Sequence, residues 1–143
     1  MNTIKTTRFG EIELDESKSI HFSDGLPGFH DKKDFIILEH KPGSPFQWLQ
    51  SMDAPDLAFV MINPFLMKSD YLQDLSPEEE ELLKNEKDDE IIVFSFVTIP
   101  SGEAQKATVN LMGPIVVGAR SRKAKQVILA NSGYSHRQQM IFS

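Results

Sequence analysis

Apolar and polar residues alternate in short runs along most of this chain, which is the pattern of half-buried β-strands. Near the N-terminus, Ile4, Phe9, Ile12 and Leu14 are the apolar positions of two such runs, which meet at Gly10. Proline, glycine and charged residues interrupt the alternation repeatedly, as they do in the turns of small β proteins. We predict strands at 3–9, 10–15, 19–22, 35–38, 46–53, 58–62, 91–99, 107–111, 115–117 and 126–129.

The run at 91–99 is apolar on both of its alternating faces. One face carries Ile91, Val93, Val97 and Ile99, and the other carries Ile92, Phe94 and Phe96. A strand that is buried on both faces lies in the middle of a layered structure. We therefore expect this strand to be central and to have other elements packed against it.

One segment has the start signals of an α-helix. Ser76 is a good N-cap, Pro77 suits the first helical position, and Glu79 completes a capping box three residues after the serine. The pattern predicts a helix over about 77–87 that packs on the strand at 91–99. Its four glutamates, 78–81, suit the positive end of the helix dipole, and a docking patch for a partner is the alternative interpretation.

Short strands at this spacing, one helix and no βα alternation indicate antiparallel β structure. No internal repeat, low-complexity tract or domain boundary is visible in the sequence. We predict a mainly β fold, in which residues 1–143 form a single domain. We expect an antiparallel, closed or nearly closed β-barrel with one short α-helix.

The segment 22–29, Phe-Ser-Asp-Gly-Leu-Pro-Gly-Phe, predicts a rigid turn. Gly25 and Gly28 can adopt positive φ, and Pro27 between them has a restricted φ, so the backbone is shaped locally. Such a turn orients Leu26 and Phe29 as a pair. These two side chains either close one end of the barrel or present an apolar surface to a partner.

Composition narrows the classes of function. Fifteen basic and twenty-one acidic residues give a net charge of −6, so nucleic acid would be repelled unless a local basic patch attracted it. A basic protein would be attracted. The chain has no cysteine, no apolar run long enough to span a membrane and no signal-like N-terminus, so we expect a cytoplasmic protein.

Catalytic and cofactor motifs are not apparent. The sequence has no glycine-rich phosphate loop, no nucleophile elbow and no pair of histidines at metal-ligand spacing, so we expect no catalytic residue, cofactor or metal. The best nucleic-acid candidate is a basic cluster formed by Arg120, Arg122, Lys123 and Lys125. A solvated turn between two strands accounts for this cluster better, but an RNA-binding barrel remains the alternative function. A small-molecule hydrolase is a more distant one.

Several motifs, taken together and in order, resemble the FliW family of bacterial flagellar assembly factors. They are 22–29, Pro45, Phe46, 49–51, Asp53, Pro55, Phe59, Asn63, Pro64, Tyr71, 109–111, 114–116, 126–129 and Tyr134. Each motif alone is weak, but their joint occurrence along nearly the whole chain is specific.

The resemblance implies a non-enzymatic cytoplasmic protein with two protein partners and no direct contact with nucleic acid or membrane. FliW proteins bind flagellin subunits before export, and they bind CsrA, a dimeric RNA-binding repressor of flagellin translation. Binding to CsrA relieves repression, and flagellin that accumulates in the cell removes FliW from CsrA. Competition between two complexes needs no catalytic residue.

Two sets of residues are our candidates for these contacts. The acidic side chains Glu78, Glu79, Glu80, Glu81, Asp88, Asp89 and Glu90 would attract a basic CsrA surface. Leu26 and Phe29 would line or border an apolar groove for the terminal segments of flagellin, which form amphipathic helices in the filament. The alternative for Leu26 and Phe29, that both close the barrel end, stays open at this stage.

Overall fold

The computed structural model of the protein describes residues 3–39, 41–84, 89–101 and 103–140. The strands in these residues are β1 (Thr3–Thr6), β2 (Gly10–Glu13), β3 (Ser19–Phe22), β4 (Asp34–Glu39), β5 (Phe46–Ser51), β6 (Ala58–Ile62), β7 (Ile91–Thr98), β8 (Thr108–Val109), β9 (Ile115–Gly118), β10 (Lys123–Gln126) and β11 (Gln138–Gln139). The helix α1 is Pro77–Leu83, and 3₁₀ turns occupy Glu16–Lys18, Pro64–Leu66 and Ala104–Lys106.

Seven strands close into a barrel in the order β3, β4, β5, β6, β7, β9, β10 and back to β3. The predicted fold class, a mainly β barrel with one short helix, is confirmed. Six neighbouring pairs are antiparallel, and β3 and β10 are parallel, with Lys123 opposite His21 and Ala124 opposite Phe22. Closure leaves no open sheet edge on this ring.

Two pieces of β structure lie outside the ring. Strands β1 and β2 form a separate hairpin, which is attached to the barrel by the hydrogen bond from the Thr7 N–H to the Pro55 carbonyl (2.8 Å). Strand β8 pairs with the last residues of β7, and β11 pairs with β8. The sheet therefore continues past the barrel on the side of β7.

The barrel has an inner core and a second core outside the ring. The inner core contains Ile20, Phe22, Leu26, Phe35, Leu49, Met61, Phe94, Ile115, Val117 and Ala124. The outer core contains Ile62, Tyr71, Val93, Val97, Ala107, Val109 and Leu111. The prediction that β7 is buried on both faces is confirmed for its middle, since Phe94 belongs to the inner core and Val93 to the outer one. Its first residues, Ile91 and Ile92, are exposed.

Helix α1 begins where the sequence predicts, but it is shorter and packs elsewhere. The Ser76 hydroxyl accepts a hydrogen bond from the Glu79 N–H (3.2 Å). The helix ends at Leu83, Lys84 is extended, and the predicted residues 85–87 lie outside the described part of the chain. The expectation that the helix packs on 91–99 is wrong. Leu83 packs with Val116, Val127 and Leu129, because these residues provide the apolar surface that the helix covers.

The predicted positions of the last barrel strand and of the turn before it are also wrong. Strand β10 covers Lys123–Gln126, in the segment predicted to be a turn, and the turn itself is confined to residues 119–122. Arg122 ends this turn in the left-handed region, with φ +60°. The strand was missed because only Ala124 among its four residues is both apolar and buried, which is too little alternation to detect.

A buried carboxylate holds this turn. The Asp89 carboxylate accepts hydrogen bonds from the Ser121 hydroxyl (2.7 Å) and from the backbone N–H groups of Arg120 (2.9 Å) and Ser121 (3.2 Å). The hydrogen bond from the Ser121 hydroxyl contributes most, and together these bonds lower the pKa of the Asp89 carboxyl below its usual value. Asp89 thus fixes the connection between β9 and β10.

Both glycines of the turn at 22–29 adopt the positive φ that the sequence predicts. Gly25 has φ +66° and Gly28 has φ +84°. A Cβ on Gly25 would lie 2.6 Å from the His30 Cα, whereas a Cβ on Gly28 would meet no atom within 4 Å. The turn therefore closes on its own backbone at Gly25 and leaves Gly28 in open space.

These two glycines make a matched test of the turn. We expect Gly28→Ala to lower the free energy of unfolding by about 1 kcal/mol, because only the cost of positive φ applies. Gly25→Ala should cost at least about 2 kcal/mol more, because the added methyl group overlaps backbone atoms that cannot move aside. Urea unfolding of both variants measures the difference. Equal urea midpoints for the two variants would contradict the close approach of the His30 backbone to Gly25.

Candidate partner-binding surfaces

The turn at 22–29 divides its two apolar side chains between the core and the surface. Leu26 is 1% exposed and belongs to the inner core. Phe29 is 37% exposed, and its N–H donates to the Leu26 carbonyl (2.7 Å). Leu26 therefore closes the barrel end, while Phe29 is accessible to a partner.

Phe29 is the outermost ring of a row of aromatic side chains. Its ring contacts Phe59 edge-on, with 5.7 Å between centroids. Phe59 in turn stacks on Phe96 at 4.9 Å, and both rings are half-buried. The row connects the turn to strands β6 and β7.

A groove of ≈ 1090 Å³, which we call the β6/β7 groove, begins at this row. It is lined by Arg8, Trp48, Ala58, Phe59, Val60, Phe96, Val97, Thr98, Ile99, Pro100, Lys106, Thr108, Asn110, His136 and Arg137. The ladder between β6 and β7 ends at Val60 and Val97. Beyond that pair β6 continues along β5 and β7 continues along β8, so the two strands separate and open the groove.

Sequence reasoning missed this groove. It assigned Trp48 to packing, and indeed Trp48 contacts the Phe9 ring at 5.7 Å and lies 4.4 Å below the Arg8 guanidinium carbon. The same Trp48 lines the groove. No local signal could reveal this, because residues from six separate stretches of the chain form its walls.

The predicted acidic residues fall into two groups. Glu78, Glu80, Glu81 and Glu90 are exposed. Glu79 is 5% exposed, and its carboxylate accepts a hydrogen bond from the Asn131 N–H (3.2 Å). Asp89 holds the turn at 119–122, and Asp88 lies outside the described residues. The structure therefore leaves four of the seven acidic candidates accessible in the residues it describes.

The exposed acidic residues lie beside the same strand. Helix α1 packs on β9 through Leu83 and Val116. The Glu90 carbonyl accepts a hydrogen bond from the Ala119 N–H (2.7 Å), directly after β9. We refer to Glu78, Glu80, Glu81 and Glu90 as the acidic patch.

The basic cluster makes contacts within the fold. The Arg122 Nε donates to the Ser19 carbonyl (3.1 Å), which ties the turn to β3. The Lys125 Nζ donates to the Lys84 carbonyl at the end of α1. The Arg120 Nε lies 3.9 Å from the Asp89 carboxylate. Arg122 and Lys125 thus support the β9–β10 connection, while the Arg120 side chain is 73% exposed.

The described part of the chain was compared with the requirements of a metal site and of a membrane span. No group of three histidine or acidic side chains there lies close enough to hold a metal ion. A second cleft, of ≈ 590 Å³, is lined by Met67, Lys68, Leu111, 132–135, Gln138 and Gln139 and has no carboxylate among these residues. The described helices include none that is long and apolar enough to cross a membrane.

Two tyrosines that carry the resemblance have structural roles. The Tyr71 hydroxyl donates to the Leu111 carbonyl (2.5 Å), and burial raises the Tyr71 pKa. The Tyr134 hydroxyl accepts a hydrogen bond from the Leu72 N–H (2.8 Å), where Leu72 has φ +70°. These bonds fix the long connection between β6 and α1 against the outer core.

Comparisons with known proteins agree with the resemblance. The family model described as FliW protein matches residues 3–140. The chain is 43% identical over 135 residues to the flagellar assembly factor FliW of Bacillus licheniformis, with 94% of each chain covered. It is 41% identical over 132 residues to that of Geobacter sulfurreducens, with 92% of this chain and 82% of the relative covered.

The structural comparison gives the same result. The crystal structure of a flagellar assembly factor FliW matches this fold with a TM-score of 0.83 and 33% sequence identity. The match covers 98% of this chain and 97% of the other. The family model, the relatives and the solved structure all span nearly the whole chain, and the protein therefore belongs to the FliW family of flagellar assembly factors.

Proposed function

We propose that this protein acts in the cytoplasm by binding flagellin before its export and, in a competing complex, the translational repressor CsrA. Binding to CsrA relieves repression of flagellin synthesis. Flagellin that is not exported takes the protein away from CsrA, and repression resumes. The amount of free flagellin sets the outcome by mass action, so the proposed role requires no catalysis.

The observation that carries this proposal is the aromatic row at the mouth of the β6/β7 groove. Solvent-exposed Phe29 continues into half-buried Phe59 and Phe96, and the groove beyond them has an apolar floor. A groove of this kind suits the apolar face of an amphipathic helix. In a flagellar assembly factor, the terminal segments of unassembled flagellin are the helices that need such cover.

The acidic patch supports the second partner. A protein that binds RNA carries positive charge on its binding surface, and exposed carboxylates on this protein would steer it into an encounter. The Glu78, Glu80 and Glu90 side chains are exposed. Glu81 pairs with exposed Lys84 (3.0 Å), a contact that a partner can replace at little cost.

The proposal is tested by a competition between purified proteins. Flagellin is added to the complex with CsrA, and size-exclusion chromatography with light scattering identifies each species. We expect flagellin to release CsrA in proportion to the amount added. Flagellin without its terminal segments serves as the control and should release none. A stable complex of all three proteins would contradict competition, and failure to bind either partner would overturn the proposed function.

Phe29 provides the test of the flagellin surface. We expect Phe29→Ser to weaken flagellin binding about tenfold, because an exposed aromatic ring at the mouth of a groove is a typical anchor residue. Isothermal titration calorimetry measures the affinity. Leu82→Ser, which alters an exposed apolar side chain on α1, should leave it unchanged.

Folding of the Phe29 variant is checked separately by urea unfolding. Because Phe29 is more than one third exposed, the variant should remain folded. A variant that unfolds would instead assign Phe29, like Leu26, to closing the barrel end.

The acidic patch is tested by association kinetics with CsrA. The variant Glu78→Gln, Glu80→Gln, Glu81→Gln should associate roughly threefold more slowly at low salt, because electrostatic steering is reduced. Its rate should also depend less on salt. The control Glu11→Gln, Glu13→Gln, Glu39→Gln changes three exposed acids away from the patch and has the same net charge. Equal rates for both variants would exclude the patch from the CsrA interface.

A further inference from the structure

The β6/β7 groove has a charge opposite to that of the whole protein. The described residues that line it include three basic side chains, Arg8, Lys106 and Arg137, and one histidine, His136, but no aspartate or glutamate. The chain as a whole has twenty-one acidic and only fifteen basic residues. A wall of this size without a single carboxylate is therefore a distinct feature of this surface.

Two of these cations have no carboxylate partner in the described part of the chain. Arg8 is exposed, and its guanidinium lies over the Trp48 ring at 4.4 Å. Arg137 is exposed, and its backbone N–H donates to the Ser135 hydroxyl (3.0 Å). Lys106 pairs with Glu103 at 3.3 Å, but both side chains are well exposed. Arg8 and Arg137 are thus available to an acidic partner.

Apolar side chains line the same groove. Val60 is half-buried, Val97 is 8% exposed and Ile99 is 46% exposed. Apolar surface with cations beside it matches a helix that has an apolar ridge flanked by carboxylates. Such a helix would bury its apolar ridge in the groove, and its acidic side chains would pair with the arginines beside it.

Single-stranded RNA fits the same groove less well. RNA recognition depends on free aromatic faces that stack on bases. Arg8 already covers one face of Trp48, and the Phe59 and Phe96 rings are stacked on each other at 4.9 Å. The groove therefore offers cations and apolar surface but little stacking surface.

We propose that the β6/β7 groove selects a helical segment of flagellin by its acidic flanks, which pair with Arg8 and Arg137 while its apolar ridge covers Val60, Val97 and Ile99. This inference rests on the proposed binding of flagellin and adds the chemistry of the segment that is bound. It also gives the two partner surfaces opposite charge. The groove attracts acidic side chains, and the acidic patch beside β9 attracts basic ones.

The test uses the position of Trp48. It is the one tryptophan in the chain and lines the groove, so its fluorescence reports occupancy directly. The probes are purified flagellin and tryptophan-free synthetic peptides that tile its two terminal segments. Each peptide is made in its natural form and with Asp and Glu replaced by Asn and Gln.

The charge-reversed variant is Arg8→Glu, Arg137→Glu. We expect its affinity for flagellin and for the acidic peptides to fall on the order of tenfold, with a weaker dependence on salt. The control Lys5→Glu, Lys18→Glu has the same net charge and changes exposed lysines that do not line the groove. Its affinity should stay within about twofold of the natural protein, and both variants should bind CsrA equally well.

Each outcome has a separate meaning. If the natural protein binds flagellin but the two variants bind it equally well, the inference is overturned and the proposed function stands. If the natural protein binds no flagellin at all, the proposed function fails. Binding of a single-stranded RNA oligonucleotide that changes Trp48 emission and is lost in the charge-reversed variant would assign the groove to nucleic acid.

Arg8 also contacts Trp48, so its replacement could disturb the hairpin. Arg137→Glu alone avoids that contact and should still weaken binding of the acidic peptides while leaving the urea midpoint unchanged. Peptides in the Asn and Gln form should not distinguish Arg137→Glu from the natural protein. If the variant Arg8→Glu, Arg137→Glu still bound the acidic peptides more tightly than their Asn and Gln forms, the proposed pairing would be contradicted.

Discussion

The pairing of β7 with three neighbouring strands is the interaction on which the rest of the structure depends. Along one edge β7 pairs first with β9 and then with β8, and along the other it pairs with β6. The β9 pairing closes the barrel, and the β8 pairing carries the sheet beyond it. Because one strand serves both the ring and its extension, β7 must be apolar on both faces, with Phe94 inside the barrel and Val93 in the outer core.

The change of partner along β7 also creates the groove. Since β7 follows β8 while β6 follows β5, the ladder between β6 and β7 stops at Val60 and Val97. Past this pair Ile99 is 46% exposed, and Phe29 lies at one end of this opening through its contact with Phe59. The candidate binding surface is thus a consequence of how the barrel closes.

Charge is distributed unevenly over this framework. Acidic residues that hold the fold, Glu79 and Asp89, accept backbone hydrogen bonds, whereas Glu78, Glu80 and Glu90 are exposed. The basic residues around 120–125 are likewise occupied in supporting the β9–β10 connection. The acidic surface beside β9 and the groove with cations at its sides are both accessible. The protein has a net charge of −6, but it therefore carries one acidic surface and one basic groove.

Local patterns in the chain were enough to predict the class of fold, most of the strands, the start of the helix and the family. These properties depend on alternation, on the Ser76 cap and on motifs in a fixed order, so they require no knowledge of distant contacts. Long-range packing was needed to learn which of Leu26 and Phe29 is buried, that Glu79 and Asp89 are structural, and that β10 pairs in parallel with β3. It also brought Arg8, Trp48 and Arg137 to one groove, because the β1–β2 hairpin packs on β5 through Phe9 and Trp48, and β11 pairs with β8 beside β7.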